Sequence, residues 1–428
     1  MSYHDVGADS RAALTDLQNR RLRETVTRAY EEVPFYRDAF DAAGVDPTEI
    51  ATVDDLDRLP FTTKDDFRAE YPDGLFAVDW TDVGRIHASS GTTGTPKIVA
   101  YTQDDLDVWS EVMARSLSIG GVDADDVVQN AYGYGLFTGG LGFHDGAEAL
   151  GAAVVPTGGG DTAKQIRMLQ DLESDVLCCT PSYCLYLAEA CEERGIDPGD
   201  LAVSTVLIGA EPFTDAMRAE IESALDVTAI DVYGLSEIIG PGVSVECADQ
   251  QAGLHVWEDH FYPEVVDPET GDRLPPGEEG ELVLTTLTKE ALPVVRYRTG
   301  DVTTLYEAPC DCGRTAVRMG NVTGRTDDLL VVRGVNVYPS QIESVLVDHS
   351  AVAPHYRIDL TREGSLDRLA ITVERDETST ASRTDLEAEL ERRLDEVLSL
   401  SPDDLEVVDS GEIERSETGK VKRVYDHR

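Results

Sequence analysis

The sequence predicts an α/β protein with a large N-terminal domain of parallel-rich sheets wrapped by helices, a β-rich subregion within it, and a small α+β C-terminal domain. Three observations support this class. Short apolar runs alternate with helix-like segments between 126 and 234, the pattern becomes β-rich between 253 and 306, and the composition shifts again after Gly324. The predicted domains are 1–326, with a helical subregion over about 1–60, and 327–428.

Apolar spacing predicts the individual elements. Apolar residues between 22 and 33 recur at intervals of three and four, which predicts an amphipathic helix over 16–36 that Pro34 ends. Alternating strands and helices are predicted at 176–180, 181–194, 204–210, 213–225 and 227–233, and two further strands at 281–286 and 302–306. The C-terminal domain reads as a helix at 340–347, strands at 354–361 and 369–373, a helix at 383–398 and a strand at 405–408. The last helix is predicted to bury one face made of Leu386, Leu390, Leu394 and Val397.

The composition is strongly acidic. The 428 residues include 36 Lys and Arg against 83 Asp and Glu, a formal net charge of −47. Because 41% of the residues are hydrophobic, the chain can bury a large core, which excludes an entirely disordered acidic protein. Nucleic-acid phosphates and anionic lipid would be repelled, so neither nucleic acid nor a membrane is an expected partner. The acidic residues are spread along the chain in short pairs, which predicts a halophilic surface.

The phosphate-loop motif is the segment from Ser89 to Lys97, SSGTTGTPK. Its glycines let the backbone approach an anion, its hydroxyls add donors and its lysine adds charge, a combination that suits a polyphosphate. Pro96 stands where a Walker A loop needs glycine. Composition alone also fits an ordinary loop, but lysine occurs at only six positions in the chain, so Lys97 favours function. The candidate phosphate-binding residues are Ser89, Ser90, Gly91, Thr92, Thr93, Gly94, Thr95 and Lys97.

This loop resembles the phosphate loop of the adenylate-forming enzymes, the superfamily of acyl-CoA synthetases, luciferases and peptide-synthetase adenylation domains. Five further segments resemble motifs of that superfamily in the same order: GAEP at 209–212, YGLSE at 233–237, YRTGD at 297–301, GRTD at 324–327 and GK at 419–420. The segments NAYGYGLFTGGLG at 130–142 and YGLSEIIGPGVSVEC at 233–247 are similar in sequence to the phenylacetate-CoA ligase family, a branch of that superfamily.

The resemblance implies an AMP-forming acid–thiol ligase. In such an enzyme a carboxylate attacks ATP to give an acyl-adenylate and pyrophosphate, and the thiol of coenzyme A then displaces AMP. The implied substrates and cofactors are phenylacetate or a related aryl carboxylic acid, ATP, Mg²⁺ and coenzyme A, and the implied C-terminal domain is mobile. Open alternatives are a synthetase that adenylates another acid or acceptor such as a deazaflavin cofactor, an NTP hydrolase, and a nucleotide-binding protein without catalysis.

Residue roles follow from the same resemblance. It implies Glu237 as the Mg²⁺ carboxylate, Asp301 as the ribose acceptor, Tyr233 as the adenine platform, and Lys420, with Lys422 as the alternative, as the catalytic lysine. Without the motifs, each would pass for an ordinary turn, core or tail residue. Further nucleotide-site residues are Gly209, Ala210, Glu211, Pro212, Asp231, Gly234, Ser236 and Arg325. The acyl pocket is expected at Tyr132, Tyr134, Phe137, Ile238, Gly240 and Pro241, the hinge at Asp327, and the coenzyme A side at Arg333 and Gly334.

The seven cysteines form two groups. Seven is an odd number, and without a secretion signal it disfavours a disulfide framework. The lack of a secretion signal and of any run of about 20 apolar residues predicts a cytoplasmic protein. Cys178, Cys179, Cys184 and Cys191 fall on a predicted strand and helix and are expected in the core. Cys247, His255, Cys310 and Cys312 form an acceptable structural Zn²⁺ set, and reduced thiols are the open alternative. The resemblance also suggests a homodimer to which the N-terminal helices contribute.

Overall fold

The structure is a computed structural model. It describes residues 10–89, 96–326, 330–333, 335–347, 349–363, 366–376, 379–398, 400–413 and 422–428.

The chain opens with a helical layer. This layer contains α1 (Arg11–Glu32), α2 (Pro34–Ala43), two short 3₁₀ turns (Pro47–Glu49 and Val53–Arg58) and α3 (Lys64–Ala69). The helix predicted over 16–36 is present as α1, but it begins earlier, at Arg11, and ends at Glu32, two residues before Pro34. Pro34 then begins α2, since a first-turn residue needs no N–H donor of its own.

The large N-terminal part continues with five helices and fourteen strands among the described residues. In chain order these are β1 (Arg85–Ala88), β2 (Ile98–Tyr101), α4 (Gln103–Ile119), β3 (Val127–Asn130), α5 (Thr138–Leu150), β4 (Ala153–Val155), α6 (Thr162–Leu172), β5 (Val176–Cys179), α7 (Pro181–Glu193), β6 (Thr205–Ile208), α8 (Asp215–Leu225), β7 (Thr228–Leu235), β8 (Gly240–Glu246), β9 (Leu254–Val256), β10 (Phe261–Val266), β11 (Glu279–Thr286), β12 (Tyr297–Tyr306), β13 (Arg318–Met319) and β14 (Gly324–Arg325).

A mixed sheet organises this part. Its strand order is β10-β11-β12-β13-β9-β8-β7-β6-β5-β3-β4, with β14 paired to β12. Strands β3 to β7 pair in parallel, which confirms the alternating pattern, whereas β7 pairs with β8 antiparallel and begins the β-rich half. Ligands of α/β sheets bind beyond the carboxyl ends of parallel strands. The segments that carry the adenine and YGLSE motifs follow such ends, after β6 and at the end of β7.

The C-terminal part has a hydrophobic cluster of its own. It contains β15 (Leu330–Val332), β16 (Val335–Val337), α9 (Pro339–Val347), β17 (Val352–Glu363), β18 (Leu366–Arg375), α10 (Arg383–Leu398), β19 (Asp404–Val408) and β20 (Val424–Asp426). Strands β19-β18-β17-β20 form one sheet. The prediction for Val397 is wrong: its side chain is exposed, and Leu398 continues the buried spacing of four that runs through Leu390 and Leu394. The boundary at 326/327 stays a prediction, because 327–329 lie outside the described residues.

None of the helices among the described residues is long and apolar enough to cross a membrane.

Candidate active site

The two ends of the phosphate-loop motif lie side by side. Ser89 follows β1 and Lys97 precedes β2, and these strands pair antiparallel. The Ser89 N–H donates to the Lys97 carbonyl at 3.0 Å, and the Lys97 N–H donates to Ser89 Oγ at 3.4 Å. The hairpin therefore closes the base of the loop. Ser90, Gly91, Thr92, Thr93, Gly94 and Thr95 lie outside the described residues.

Glu237 is a buried carboxylate that faces Lys97. It sits in the turn between β7 and β8, and its side chain forms an ion pair with the Lys97 ammonium. The Tyr297 hydroxyl donates to Glu237 Oε1 at 3.1 Å. Burial alone would raise the pKa of Glu237, but the charge and hydrogen bond of Lys97 outweigh it and hold the pKa below its ordinary value. The site thus presents an ionised carboxylate beside the phosphate loop, with a lysine cation already seated against it.

Asp301 connects two other predicted nucleotide residues. The Tyr233 hydroxyl donates to Asp301 Oδ2 at 2.6 Å, and the Arg325 guanidinium pairs with Oδ1. Arg325 also donates to the Thr299 carbonyl at 3.1 Å. Burial, together with the charge of Asp301, raises the pKa of Tyr233 well above its ordinary value. A carboxylate offers about four acceptor positions, and Tyr233 and Arg325 help to hold Asp301 in place.

Glycine and a left-handed residue shape the adenine segment. A Cβ on Gly209 would lie 2.1 Å from the Val232 carbonyl oxygen, and Ala210 has a φ of +69°. The segment therefore turns directly after β6 and passes close to β7. Glu211 accepts from the Ser182 N–H at 3.2 Å, at the start of α7, and the exposed Pro212 follows it.

The carboxyl end of β7 is also closely packed. A Cβ on Gly234 would lie 2.0 Å from the Gly240 carbonyl oxygen, so β7 and β8 approach closely there. Ser236 Oγ lies 3.3 Å from Thr138 Oγ1, at the start of α5. Burial and the charge of Glu246 raise the pKa of Asp231 to about 8, while the Asp231 N–H donates to Glu246 Oε2 at 3.0 Å. The fold thus favours the protonated form of Asp231 near neutral pH.

The predicted acyl-pocket residues divide into two groups. Tyr132 and Ile238 are buried. The Tyr132 hydroxyl donates to the Cys179 carbonyl at 2.6 Å, and its ring stacks on Phe143 with centroids 4.9 Å apart. Both side chains are closed off from solvent in this arrangement, and their place in the acyl pocket stays a prediction. Tyr134 is 37% exposed and accepts from Asn130 Nδ2 at 3.0 Å.

The remaining pocket residues surround the start of α5. Phe137 is the residue that precedes its first turn. A Cβ on Gly240 would lie 2.4 Å from the Trp109 ring, and Trp109 Nε1 donates to the Pro241 carbonyl at 3.0 Å. Trp109 of α4 therefore limits how closely β8 approaches α4, a role that the motifs did not indicate.

Lys289 is a charged residue to which the sequence analysis assigned no role. It is buried, with Nζ 3.4 Å from the Glu237 carbonyl oxygen and 4.6 Å from the centre of the Tyr101 ring. Burial lowers the pKa of Lys289 to about 8, against the opposing charges of Asp105 and Glu237. The available signal was the scarcity of lysine in this chain.

The predicted hinge and lysine residues fall mostly outside the described residues, namely Asp327, Gly334 and Lys420. Arg333 has a φ of +51° and donates to the Ser401 carbonyl at 2.7 Å, within the C-terminal part. Lys422 lies 4.8 Å from the centre of the Tyr425 ring. At the end of the preceding described range, the Ile413 N–H donates to Glu374 at 2.6 Å.

Cys247, His255, Cys310 and Cys312 meet in one cluster. Their candidate ligand atoms all lie within 4.8 Å of one another. Cys247 Sγ is 3.9 Å from Cys310 Sγ, and Cys312 Sγ is 3.5 Å from His255 Nε2. Tetrahedral zinc with ordinary bond lengths implies separations of about 3.8 Å between sulfurs and about 3.6 Å between sulfur and nitrogen. The donor set therefore fits Zn²⁺ in chemistry and in spacing. Cys178, Cys179, Cys184 and Cys191 are buried core residues, as predicted.

Family comparison agrees with the order of the motifs. Residues 12–287 match the AMP-binding enzyme family, and residues 334–428 match the AMP-binding enzyme C-terminal domain. The chain is 50% identical to the phenylacetate-coenzyme A ligase of Thermus thermophilus, covering 98% of this chain and 97% of that one. It is 49% identical to the phenylacetate-coenzyme A ligase of Escherichia coli, covering 97% and 95%.

Two crystal structures of a 2-hydroxyisobutyryl-CoA ligase resemble the fold. The chain matches that enzyme in the postadenylation state, in complex with R3-HIB-AMP, with a TM-score of 0.92 at 28% identity, covering 99% of this chain and 92% of that one. It matches the same enzyme with 2-HIB-AMP and CoA in the thioesterification state with a TM-score of 0.74 at 29% identity, covering 99% and 91%. The two parts of this chain are therefore arranged as in the first of these structures.

Fold and site together define an adenylate-forming enzyme of the AMP-binding class. Within that class, the chain belongs to the phenylacetate-CoA ligase family.

Proposed function

We propose that this enzyme converts phenylacetate, or a closely related aryl acid, to its coenzyme A thioester, consuming ATP and releasing pyrophosphate and AMP. The observation that carries the proposal is near-full-length identity of 50% and 49% to two phenylacetate-coenzyme A ligases. The site chemistry supports it, because the Lys97 cation contacts the buried Glu237 carboxylate, and Asp301 contacts Tyr233 near the end of β7.

In the first half-reaction the substrate carboxylate attacks the α-phosphorus of ATP. The segment 89–97 binds the β- and γ-phosphates, and Lys97 exchanges its contact with Glu237 for one with phosphate oxygen. Asp301 accepts the ribose hydroxyls, and the Tyr233 ring lies against adenine. Lys420 neutralises the charge that develops on the α-phosphate and carboxylate oxygens, a role that works through electrostatic stabilisation of the transition state.

Mg²⁺ suits the Glu237 position, since a single protein carboxylate together with phosphate oxygens is its usual protein environment. When bound there it would neutralise phosphate charge. The residues of this chain then have separate tasks: Glu237 supplies the ligand oxygen, and Tyr297 keeps that carboxylate oriented.

In the second half-reaction the thiol of coenzyme A attacks the acyl-adenylate. Residues 327–428 rotate about Asp327, and Arg333 and Gly334 approach the pantetheine arm. Closure that completes a site while excluding water protects a reactive adenylate from hydrolysis.

Two further properties belong to the proposal. Cys247, His255, Cys310 and Cys312 hold a structural zinc ion, which the spacing of their donor atoms supports. The net charge of −47 supports a requirement for molar salt. A homodimer through the N-terminal helices stays a prediction.

The proposal is tested by assaying thioester formation in molar KCl with Mg²⁺, ATP and coenzyme A against a panel of acids that includes phenylacetate, benzoate and a short aliphatic acid. Phenylacetate is expected to give the largest kcat/KM. Adenylate formation from phenylacetate without transfer to coenzyme A would point instead to another acceptor. Turnover only with other acids would reject the substrate.

A further inference from the structure

Lys289 and Lys97 contact different groups of Glu237. Lys289 follows β11, and its ammonium reaches the Glu237 main-chain carbonyl at 3.4 Å. Lys97 and Tyr297 contact the carboxylate of the same residue. Backbone and side chain of Glu237 are thus held by different partners.

The turn that carries Glu237 is held at a second carbonyl as well. The Tyr101 hydroxyl donates to the Ile239 carbonyl at 2.9 Å, and the Lys289 ammonium lies over the Tyr101 ring. Within the turn, the N–H groups of Ile238 and Ile239 both donate to the Leu235 carbonyl, at 3.1 and 3.2 Å. Lys289 and Tyr101 therefore hold two carbonyls of one short turn.

Asp105 fixes the main chain around Lys289. Its carboxylate accepts the N–H groups of Glu290 at 2.6 Å and Ala291 at 2.9 Å, and also the Thr102 N–H at 2.9 Å at the start of α4. Asp105 is itself buried. Because a buried ammonium is costly unless charges and dipoles compensate it, the arrangement of Asp105, the Tyr101 ring and the Glu237 carbonyl indicates a site that is built for a cation.

We propose that Lys289 is a positioning residue for the candidate magnesium carboxylate, holding the Glu237 turn so that its side chain faces the phosphate loop. The inference rests on the proposed function, because it takes Glu237 as the Mg²⁺ ligand. Lys289 contacts the main chain of the Glu237 turn, so its effect on the carboxylate passes through that turn. Outer contacts that orient a metal ligand commonly change metal affinity by about 10- to 100-fold when they are removed.

The test measures ATP binding by calorimetry as a function of Mg²⁺ concentration, in molar KCl and without acid or coenzyme A. The proteins are wild type, Lys289→Met, Lys289→Arg, Glu237→Gln and the double variant Lys289→Met/Glu237→Gln. Lys164→Met is the matched control, since Lys164 is exposed on α6. Thermal unfolding of each protein reports stability separately.

Lys289→Met is expected to raise the Mg²⁺ concentration for half-maximal ATP affinity about tenfold, and Lys289→Arg to restore most of the loss. In the Glu237→Gln background, Lys289→Met should raise that Mg²⁺ concentration by less than about twofold, because Lys289 acts through Glu237. An unchanged Mg²⁺ midpoint with a lower unfolding temperature, or the same tenfold effect in both backgrounds, would overturn the inference. Because no acid is present, failure of phenylacetate as a substrate is a separate result that rejects the proposed function alone.

Discussion

His355 Nε2 lies 3.1 Å from Glu189 Oε1, which joins β17 of the C-terminal part to α7 of the N-terminal part. Glu220 of α8 and Asp376 after β18 belong to the same neighbourhood, because the charges of Glu189 and Asp376 both act on Glu220. Three carboxyl groups and one imidazole therefore meet where the two parts touch. This contact belongs to the arrangement that resembles the postadenylation structure of 2-hydroxyisobutyryl-CoA ligase.

Glu220 makes stability depend on pH. Burial, with the charges of Glu189 and Asp376, raises the pKa of Glu220 from 4.5 to about 7. The folded chain therefore holds a proton that the unfolded chain releases, and stability falls as the pH rises from about 4.5 to about 7. Glu220→Gln is expected to stabilise the protein by about 1–2 kcal/mol at a pH of about 8, after allowance for solvent screening, and to change little at a pH of about 5.

Urea unfolding in molar salt at those two pH values measures the Glu220 effect. Glu193→Gln, an exposed residue at the end of α7, is the control and should be neutral at both. A gain of equal size at both pH values would show that the substitution acts without the proton.

Asp301 is expected to contribute directly to ATP affinity. Asp301→Asn should weaken ATP binding about 10- to 100-fold, since hydrogen bonds to a charged acceptor are worth about 1.5–3 kcal/mol. Tyr233→Phe removes the 2.6 Å hydrogen bond to Asp301 but keeps the ribose acceptor and the ring, so it should cost much less. Calorimetric titration with ATP measures both variants, and equal losses would show that Asp301 only supports Tyr233.

Zinc removal is expected to destabilise the β-rich half of the sheet. Purified protein should contain about one zinc ion per chain, and Cys310→Ser/Cys312→Ser should contain none and unfold at a lower temperature. Cys191→Ala, a buried cysteine of α7 in a different cluster, should keep the metal. Elemental analysis measures the zinc content of each protein, and thermal unfolding measures its stability. If the wild-type protein contains no metal and a chelator does not change its stability, the cysteines are reduced thiols without zinc.

Salt is expected to stabilise the folded chain. Repulsion within a chain of net charge −47 is screened as ionic strength rises, and the screening length shortens from about 10 Å at 0.1 M to about 3 Å at 1 M. The unfolding temperature should therefore rise through a KCl series, with activity following it. A protein that is fully folded and active in dilute buffer would contradict the prediction.

Much of the fold was accessible from the sequence because local spacing determines it. The alternating strands and helices from 176 to 233 and the last helix follow from apolar periodicity alone. Val397 was misassigned because its position is adjacent to the buried stripe, and the spacing that continues it falls on Leu398.

Less of the site was accessible, because contacts between distant segments leave no local pattern. The motifs identify Lys97 and Glu237 separately, but only the fold reveals that they pair. His355 and Glu189 are 166 positions apart in the chain. Lys289 lies outside the six motifs quoted from the sequence, and its proposed role depends on a main-chain carbonyl, which any residue could supply.

The central claim is adenylation of phenylacetate followed by transfer to coenzyme A, and product analysis tests it most directly. Pyrophosphate, AMP and thioester are measured from ATP and phenylacetate, with and without coenzyme A, for wild type, Lys420→Ala and Lys422→Ala. We expect the wild type to form AMP and the thioester only with coenzyme A, Lys420→Ala to lose adenylation and Lys422→Ala to keep it. Release of ADP and phosphate in place of AMP and pyrophosphate would contradict the account.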